Sequence, residues 1–491
     1  MLSKAPKLTN YLVLKINMMI FIFIIFALFL SISIFISRNK LVNYFSVSLF
    51  SIALFALTIY SYIHINQFDS IYYKFDALGV LLTAVLSLLS LFSFYHSYLY
   101  LKRKSNNLKQ KAQYYSTLIL FITAMISAYF AENLALLWVC IEATSLFVSI
   151  LIFHSRTKDA LEATWKYLFI SSVGLAIAFI GILFLSIVAS QNGVNNLNFT
   201  NLIQAAQNMD ILWVKIAFVL ILTGLSVKIS IFPLYAVAID AKTIAATPVN
   251  ALMSTALVNV GFVGIYRMYL IVAQTTTLIW AQHVLMLVGV LSILIATIQL
   301  TRVRRFKRLL AFSSMEHMGI VTIGLAIGGV GVYAAILHLI FHSFVKAGMF
   351  FQLGAIRNHF KSIWIKDTGN YFKINPLGAI ALLLGVISIL AIPPSGLFVS
   401  ELLVFKALFF KNYLIAILVL ILLSIIIYII IKRFAHLLYA DVADDLLNKE
   451  AQINPYENIS QFILFGLVIY LGVNPPLFFT DLIHAAIAIL N

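Results

Sequence analysis

Apolar runs of about 20 residues recur along the whole chain, and short polar stretches separate them. A helix of this length crosses the roughly 30 Å hydrocarbon core of a bilayer. The pattern therefore predicts an all-α polytopic membrane protein with about 14 transmembrane helices. The predicted spans lie near residues 16–37, 41–64, 76–101, 114–130, 132–154, 165–190, 211–232, 243–272, 279–300, 309–329, 331–354, 376–410, 412–432 and 459–490.

The stretch 222–252 begins as an apolar helix, carries Lys228 deep in apolar sequence and is interrupted at Pro233. A lysine at such depth costs about 2.5 to 3.5 kcal/mol on insertion scales, so it is retained where it has a partner or a hydrated path. Proline breaks the helical hydrogen-bond ladder, and in lipid the freed backbone groups need partners from protein or water. We predict a broken helix that lines a polar path. Asp240, beyond the break, could pair with Lys228 or with Lys242.

A second stretch, 384–405, has the same organisation. Pro393, Pro394 and Gly396 interrupt an apolar helix, and Glu401 follows within two turns. Two broken apolar segments that each carry an ionisable group indicate a transporter built from internal repeats.

The composition supports a membrane protein and excludes other classes. Of the 491 residues, 63% are hydrophobic and 10% are charged, and a soluble domain of this size could not cover so much apolar surface. Cys140 is the single cysteine, which excludes a disulfide framework, a cysteine-ligated iron–sulfur cluster and a zinc ribbon within the chain. The chain has no dinucleotide, Walker or haem-attachment motif. We therefore expect no cofactor, metal or redox site in it.

The formal net charge of +16 is explained by topology. Most lysines and arginines lie in alternate loops, such as 102–111 and 302–308. The positive-inside rule makes these loops cytoplasmic, so a nucleic-acid partner is not needed to explain the charge. We predict a multi-pass protein of the cell (inner) membrane, with both termini on the non-cytoplasmic side.

Glu142 lies in the middle of the fifth span, surrounded by apolar residues. A buried glutamate and a lysine that face each other can exchange a proton with a modest driving force, and Lys228 is the candidate partner. The alternative is a neutral acid that bonds a backbone carbonyl for packing. We favour the functional interpretation because an ionisable residue inside a span is a functional hypothesis by default.

The eleventh span carries His338, His342 and Lys346 at positions i, i+4 and i+8. At about 100° per residue these side chains stay within an arc of about 80°, so they form one polar stripe on an apolar helix. Histidine can accept a proton on one nitrogen and donate one from the other, as a proton relay requires. Structural hydrogen bonding is the alternative. A metal site is disfavoured because no HExxH pattern or third carboxylate accompanies the histidines.

Three further residues are candidates for accessory roles. Lys166 begins the sixth span, where it could enter the path or extend to the interface, as lysines commonly do. Glu316 and His317 are placed near the start of the tenth span. They could form a cytoplasmic proton entry or tie the basic 302–308 loop onto the helix.

Several separated motifs resemble one family. Residues 228–257, KISIFPLYAVAIDAKTIAATPVNALMSTAL, resemble the broken-helix signature of the antiporter-like subunits shared by respiratory complex I, membrane-bound hydrogenases and Mrp-type antiporters. The hydrogenase-4 component F branch is the most similar, on the motifs ENLALLWVCIEATSL, EATWKYLFISSVGLA, FKRLLAFSSMEHMGI and LHLIFHSFVKAGMFF. The resemblance covers about residues 76–432, with the motifs in family order.

The resemblance implies 14 helices with two inverted five-helix repeats. It divides the chain into N-terminal helices (1–110), a first repeat (111–275), a second repeat (276–435) and a C-terminal helix (436–491). It also implies a proton path through Glu142, Lys228, His338, His342, Lys346 and Glu401.

The chain departs from the family pattern LHxWLPDAH, which is LYAVAIDAK here. Tyr235, Val237, Ile239 and Lys242 replace a histidine, a tryptophan, a proline and a histidine. Asn259 occupies the central site of the eighth span, which is a lysine or histidine in many relatives. A non-titratable residue there needs water to bridge the path, or it means that transport is altered.

By resemblance, the chain is a proton-translocating membrane subunit of a redox-driven complex of hydrogenase-4 or NADH-quinone oxidoreductase type. Its expected partners are other membrane subunits and the lipid bilayer. The alternative is a partner subunit of a cation/proton antiporter or an inorganic-carbon uptake complex, with a soluble protein docked on the basic cytoplasmic face. A scaffold with a degenerate channel is the third hypothesis.

Overall fold

The computed structural model describes residues 18–104, 107–362, 364–441 and 455–490. Across these ranges the chain forms a bundle of α-helices, with isolated β-bridges and no β-strand. The helices are α1 (Met19–Ser37), α2 (Lys40–Ile63), α3 (Ala77–Lys104), α4 (Leu108–Phe130), α5 (Leu134–Ile152), α6 (Lys158–Gln191), α7 (Phe199–Ala205), α8 (Ile211–Ile229), α9 (Ala236–Ile244), α10 (Thr247–Ser254), α11 (Ala256–Ala273), α12 (Leu278–Arg302), α13 (Phe306–Ile327), α14 (Val330–Phe360), α15 (Tyr371–Ile374), α16 (Pro376–Ile389), α17 (Gly396–Lys411), α18 (Tyr413–Tyr439), α19 (Ile459–Val473) and α20 (Leu477–Ile487).

The predicted fold class is confirmed. Within the described ranges, 13 helical segments are long and apolar enough to cross a membrane. Helices α16 and α17 are each shorter and lie on either side of the second predicted break, where the sequence predicts its twelfth span, and the total of 14 stays a prediction. The broken helix is the fourth of five in each predicted repeat, but the domain limits stay a prediction. The side of the termini also stays a prediction, and residues 1–17 and 491 lie outside the described part.

The inner and outer helices of the bundle differ in how much of their surface is buried. Helices α13 and α14 are buried almost all round, whereas α1, α2 and α18 expose one apolar side. A helix that is apolar on its exposed face is suited to lipid, and one buried on every side belongs to the bundle interior. The polar stripe predicted on the eleventh span therefore lies at the centre of the protein.

Small residues bring α6 and α8 into close contact. A Cβ added at Gly224 would lie 2.3 Å from the carbonyl oxygen of Gly174. Membrane helices associate through close backbone approach of this kind, because lipid provides no hydrophobic drive between them. The absence of a side chain at Gly224 therefore allows α8, the helix that carries Lys228, to pack directly against α6.

The first predicted break is present between α8 and α9, where the Phe232–Pro233 peptide is cis. Two serine hydroxyls accept hydrogen bonds from the freed backbone. The Phe232 N–H donates to Ser292 Oγ (3.0 Å), and the Leu234 N–H donates to Ser226 Oγ (3.2 Å). The protein itself thus supplies partners that the lipid core could not.

The second predicted break is present between α16 and α17. Ala391 takes a left-handed conformation (φ 49°) before a cis Pro393–Pro394 peptide. Ser395 then caps α17, accepting from the Leu397 N–H at 3.2 Å. Glu401 lies in the second turn of α17, beside the centre of the bundle.

Candidate functional site

Lys228 lies in the last turn of α8, directly before the first break, and is 2% exposed. Its Nζ donates to Ser145 Oγ and, at 3.3 Å, to Tyr167 Oη. Two neutral oxygens therefore hold an ammonium that would be costly to bury without partners.

Glu142 lies on α5 and is half-buried. Its carboxylate accepts from Ser172 Oγ (3.0 Å) and from Ser145 Oγ (3.4 Å). Ser145 thus bridges Glu142 and Lys228, where the sequence suggested that the two charges face each other directly. The sequence analysis missed Ser145, although it lies three residues after Glu142 and so on the same side of the helix.

A second group of ionisable side chains lies among α13, α14 and α17. His317 Nδ1 is 3.1 Å from His338 Nε2, and His338 Nδ1 is 3.0 Å from Ser400 Oγ. Glu401 Oε1 approaches His317 Nδ1 at 3.7 Å, and Glu316 Oε2 lies 3.6 Å from His317 Nε2. Side chains from three helices therefore lie close together in one group, which we call the histidine cluster: His317, His338, His342, Glu316 and Glu401.

The position of Glu316 corrects the sequence analysis. Helix α13 begins at Phe306, so Glu316 and His317 lie near its middle and are buried. At about 1.5 Å rise per residue, they are about 15 Å along the helix from its basic end. They therefore do not tie the 302–308 loop to the helix, and a role in proton entry stays a prediction.

His342 and Lys346 continue the cluster along α14, and both are fully buried. The ring centroids of His342 and His317 are 5.3 Å apart. Lys346 Nζ donates to the Leu310 carbonyl at 3.0 Å and lies within electrostatic range of Glu316. The predicted stripe of His338, His342 and Lys346 is thus brought together with both carboxyl groups.

Lys242 lies between the two groups. It is buried on α9, donates to Ser230 Oγ at 2.9 Å and lies within electrostatic range of His342 and Lys346. The sequence analysis noted this lysine as a departure from the family pattern and as a possible partner of Asp240. Its burial could not be inferred from a loop-like sequence.

Asn259 also lies between the groups and is fully buried on α11. Its side chain exchanges hydrogen bonds with Ser343, at 3.1 Å from Nδ2 to Oγ and 3.3 Å from Oγ to Oδ1. Ser343 is the neighbour of His342 in α14. Asn259 therefore holds a polar contact at the centre of the bundle, although it cannot carry a charge.

Two accessory candidates lie away from the interior. Asp240 pairs with Arg308 at 3.2 Å, both partly exposed, which corrects the proposed pairing with Lys228 or Lys242. Lys166 pairs with Glu162 one turn earlier in α6, and both are exposed. The alternative in which Lys166 extends to the interface fits this position.

The arrangement provides a series of proton-accepting side chains in an apolar bundle. Ser145 connects the carboxyl and ammonium groups at one end, and Lys242 lies between them and the histidine cluster at the other. In addition, His317, His338 and Glu401 each offer a ligand atom, and these three atoms lie within 4.8 Å of one another.

The sequence pattern of the NADH:quinone oxidoreductase/Mrp antiporter transmembrane family matches residues 131–427, which is more than half of the chain. This range contains every predicted path residue and both breaks. The resemblance predicted from the motifs is therefore confirmed.

The sequence similarity to curated relatives covers part of each protein. The hydrogenase-4 component F homolog of Methylacidiphilum infernorum (isolate V4) is 33% identical over 307 residues, which cover 62% of this chain and 64% of that protein. Matches to curated relatives thus span about half to two thirds of their length.

The structural similarity covers nearly the whole chain. A chain of the archaeal membrane-bound sulfane sulfur reductase has a TM-score of 0.83 at 20% identity, covering 96% of this chain and 97% of that one. A chain of the Mrp complex from Dietzia sp. DQ12-45-1b has a TM-score of 0.81 at 17% identity, with the same coverage. At these identities the similarity establishes the shared fold.

Proposed function

Because the chain belongs to the NADH:quinone oxidoreductase/Mrp antiporter transmembrane family, we propose that it is the proton-translocating membrane subunit of a redox-driven complex of hydrogenase-4 or NADH-quinone oxidoreductase type. The observation that carries the proposal is the series of ionisable side chains from Glu142 through Lys228 and Lys242 to Glu401. Such groups are retained inside a membrane where they carry ions or protons.

Each group has a distinct part in this proposal. Lys228 holds a proton when Glu142 is ionised, and Ser145 transmits the change in charge because it bonds both. Lys242 receives the proton next, and water fills the space beside Asn259, whose side chain cannot be protonated. The histidine cluster passes the proton on, since each imidazole can accept and donate at once.

The outer side of α5 and α6 supports membership in a complex. The half-buried Glu142 carboxylate and the exposed Ser172 hydroxyl open onto a surface that is otherwise apolar, with Leu146, Phe169 and Val173 exposed. A carboxylate facing lipid in mid-span is unfavourable. We propose that a neighbouring membrane subunit covers this surface.

The alternative function rests on the basic cytoplasmic face. A cleft of 320 Å³ is lined by Arg103, Lys104, Arg357 and Lys361, with Glu457 as its acidic residue. Such a surface suits a soluble acidic partner in a cation/proton antiporter or inorganic-carbon uptake complex. Purification of the chain with its natural partners, followed by mass spectrometry, separates the two. Iron–sulfur or nickel–iron subunits support the redox complex, and a soluble non-redox partner supports the alternative.

The proposed path is tested with Lys228→Ala in the assembled complex. We expect electron-transfer-coupled proton pumping in liposomes to fall by at least tenfold per assembled complex, while the yield of complex is unchanged. Lys215→Ala is the matched control, since Lys215 lies on the same helix over the Trp280 ring. Equal losses of pumping and assembly would show that Lys228 acts in folding.

A further inference from the structure

We infer that His317, His338 and Glu401 form a binding site for a divalent transition-metal ion such as Zn²⁺. The three ligand atoms come from α13, α14 and α17, and all lie within 4.8 Å of one another in the bundle interior. Imidazole nitrogen and carboxylate oxygen are the ligands that catalytic zinc sites use. This inference goes beyond proton translocation, since metal binding does not require that the path conducts.

The spacing of the ligand atoms suits a tetrahedral ion. Ligands at about 2.1 Å from Zn²⁺ lie about 3.4 Å from each other. Nδ1 of His317 is 3.1 Å from Nε2 of His338 and 3.7 Å from Oε1 of Glu401. Two of the three spacings are thus within about 0.3 Å of the tetrahedral value, and all three atoms lie within 4.8 Å of one another.

The second nitrogen of His338 has a hydrogen-bond partner, and that of His317 lies near a carboxylate without bonding it. Nε2 of His317 lies 3.6 Å from the Glu316 carboxylate, and Nδ1 of His338 is 3.0 Å from Ser400 Oγ. Metal-binding histidines almost always donate their other N–H to a carboxylate, carbonyl or hydroxyl oxygen, which fixes the ring and the tautomer. The two rings are thus oriented with one nitrogen each toward the shared space.

The ring nitrogens of His342 give separate support for a bound ion. Both of its ring nitrogens are buried and lack a hydrogen-bond partner among the described residues, and its ring lies 5.3 Å from that of His317. Buried polar groups are normally satisfied. A bound ion, or a water bound to it, would give one of these nitrogens a partner in the fourth coordination position.

Carboxylates and lysines near the site have opposite effects on a bound dication. Glu316 and Glu401 are two carboxyl groups in one apolar interior, and both attract a divalent ion. Lys346 opposes the ion, because it lies within electrostatic range of Glu316 and the histidines. Lys242 is the other cation near His342.

Metal binding has a consequence for transport. The ion takes the lone pairs of His338 Nε2 and His317 Nδ1, and the proton shared between these two atoms moves to His317 Nε2, which faces the Glu316 carboxylate. The relay between these rings is then blocked, so Zn²⁺ inhibits proton movement. This step, unlike binding, rests on the proposed function.

The test uses the purified full-length chain with its natural partners, Zn²⁺ alone as the probe, and X-ray absorption at the zinc edge. We expect one tightly held Zn²⁺ per chain, with scattering from at least two imidazoles and no sulfur. His338→Gln and Glu401→Gln should lose this ion, and Glu316→Gln should weaken binding by about 10- to 100-fold. The control is His283→Gln, because His283 is exposed on α12.

Two results would overturn the site. One is a wild-type spectrum with fewer than two imidazoles, which needs no variant and so is independent of folding. The other is unchanged Zn²⁺ content in both His338→Gln and Glu401→Gln. If Zn²⁺ binds as expected but proton pumping continues at its full rate, the site stands and the proposed path through His338 is wrong.

Discussion

Removal of the Ser145 hydroxyl is the sharpest test of how Glu142 and Lys228 are connected. Ser145 Oγ accepts from Lys228 Nζ, lies 3.4 Å from the Glu142 carboxylate and contacts Ser171 Oγ at 3.3 Å. Ser145→Ala removes all three contacts and leaves Lys228 with Tyr167 at 3.3 Å. The lysine stays buried but loses one of its two partners.

The size of the effect follows from these contacts. A hydrogen bond to a charged group contributes about 1.5 to 3 kcal/mol, and about 1.36 kcal/mol changes a rate by tenfold. We therefore expect proton pumping by Ser145→Ala to fall by roughly ten- to a hundredfold. Serine and alanine differ little in volume, so the amount of assembled complex should not change.

The assay is proton pumping in liposomes, normalised to assembled complex. Ser149→Ala is the matched control: Ser149 is a buried serine one turn further along α5, and it donates to the Leu146 carbonyl. If Ser145→Ala pumps as fast as Ser149→Ala, then Ser145 does not connect the two charges and the first part of the path is wrong.

Three other predictions follow from positions already described. Lys242→Met keeps the buried volume but removes the charge, so pumping should fall at least tenfold with assembly intact; normal pumping would place the path elsewhere. Gly224→Val forces α8 away from α6 and should lower the melting temperature by several degrees, since overpacking costs about 1–3 kcal/mol. Gly466→Ala is the control and should leave the melting temperature unchanged, because a Cβ at 466 meets open space. Asp240→Asn breaks only the partly exposed pair with Arg308, worth at most about 1 kcal/mol, so both stability and pumping should stay near wild type.

The sequence predicted the membrane spans and both breaks because these depend on local pattern. About 20 apolar residues and a proline inside them have the same physical meaning wherever the helix packs. The stripe of His338, His342 and Lys346 was also predictable, since helical spacing alone puts the three on one side. Glu401 could be recognised by its position after the second break.

The contacts between helices could not be predicted in this way. Ser145 and Ser400 are unremarkable in sequence, and they matter only because Lys228 and His338 are packed against them. Asp240 and Lys242 are two residues apart on α9 and so do not face each other, but no helix was predicted there from the sequence. The true partner of Asp240, Arg308, lies on a distant helix that no local pattern indicates.

The hydroxyl of Ser292 has a consequence for how such a chain can evolve. It lies on α12, in the predicted second repeat, yet it accepts the backbone hydrogen bond freed by the break in the first. The break in the first half therefore depends on a side chain supplied by the second half. A hybrid that joins residues up to 275 with the second half of a relative lacking a hydrogen-bond acceptor at this position would leave the Phe232 N–H unsatisfied beside Lys228. Recombination between relatives should be tolerated where position 292 keeps an acceptor and selected against where it does not.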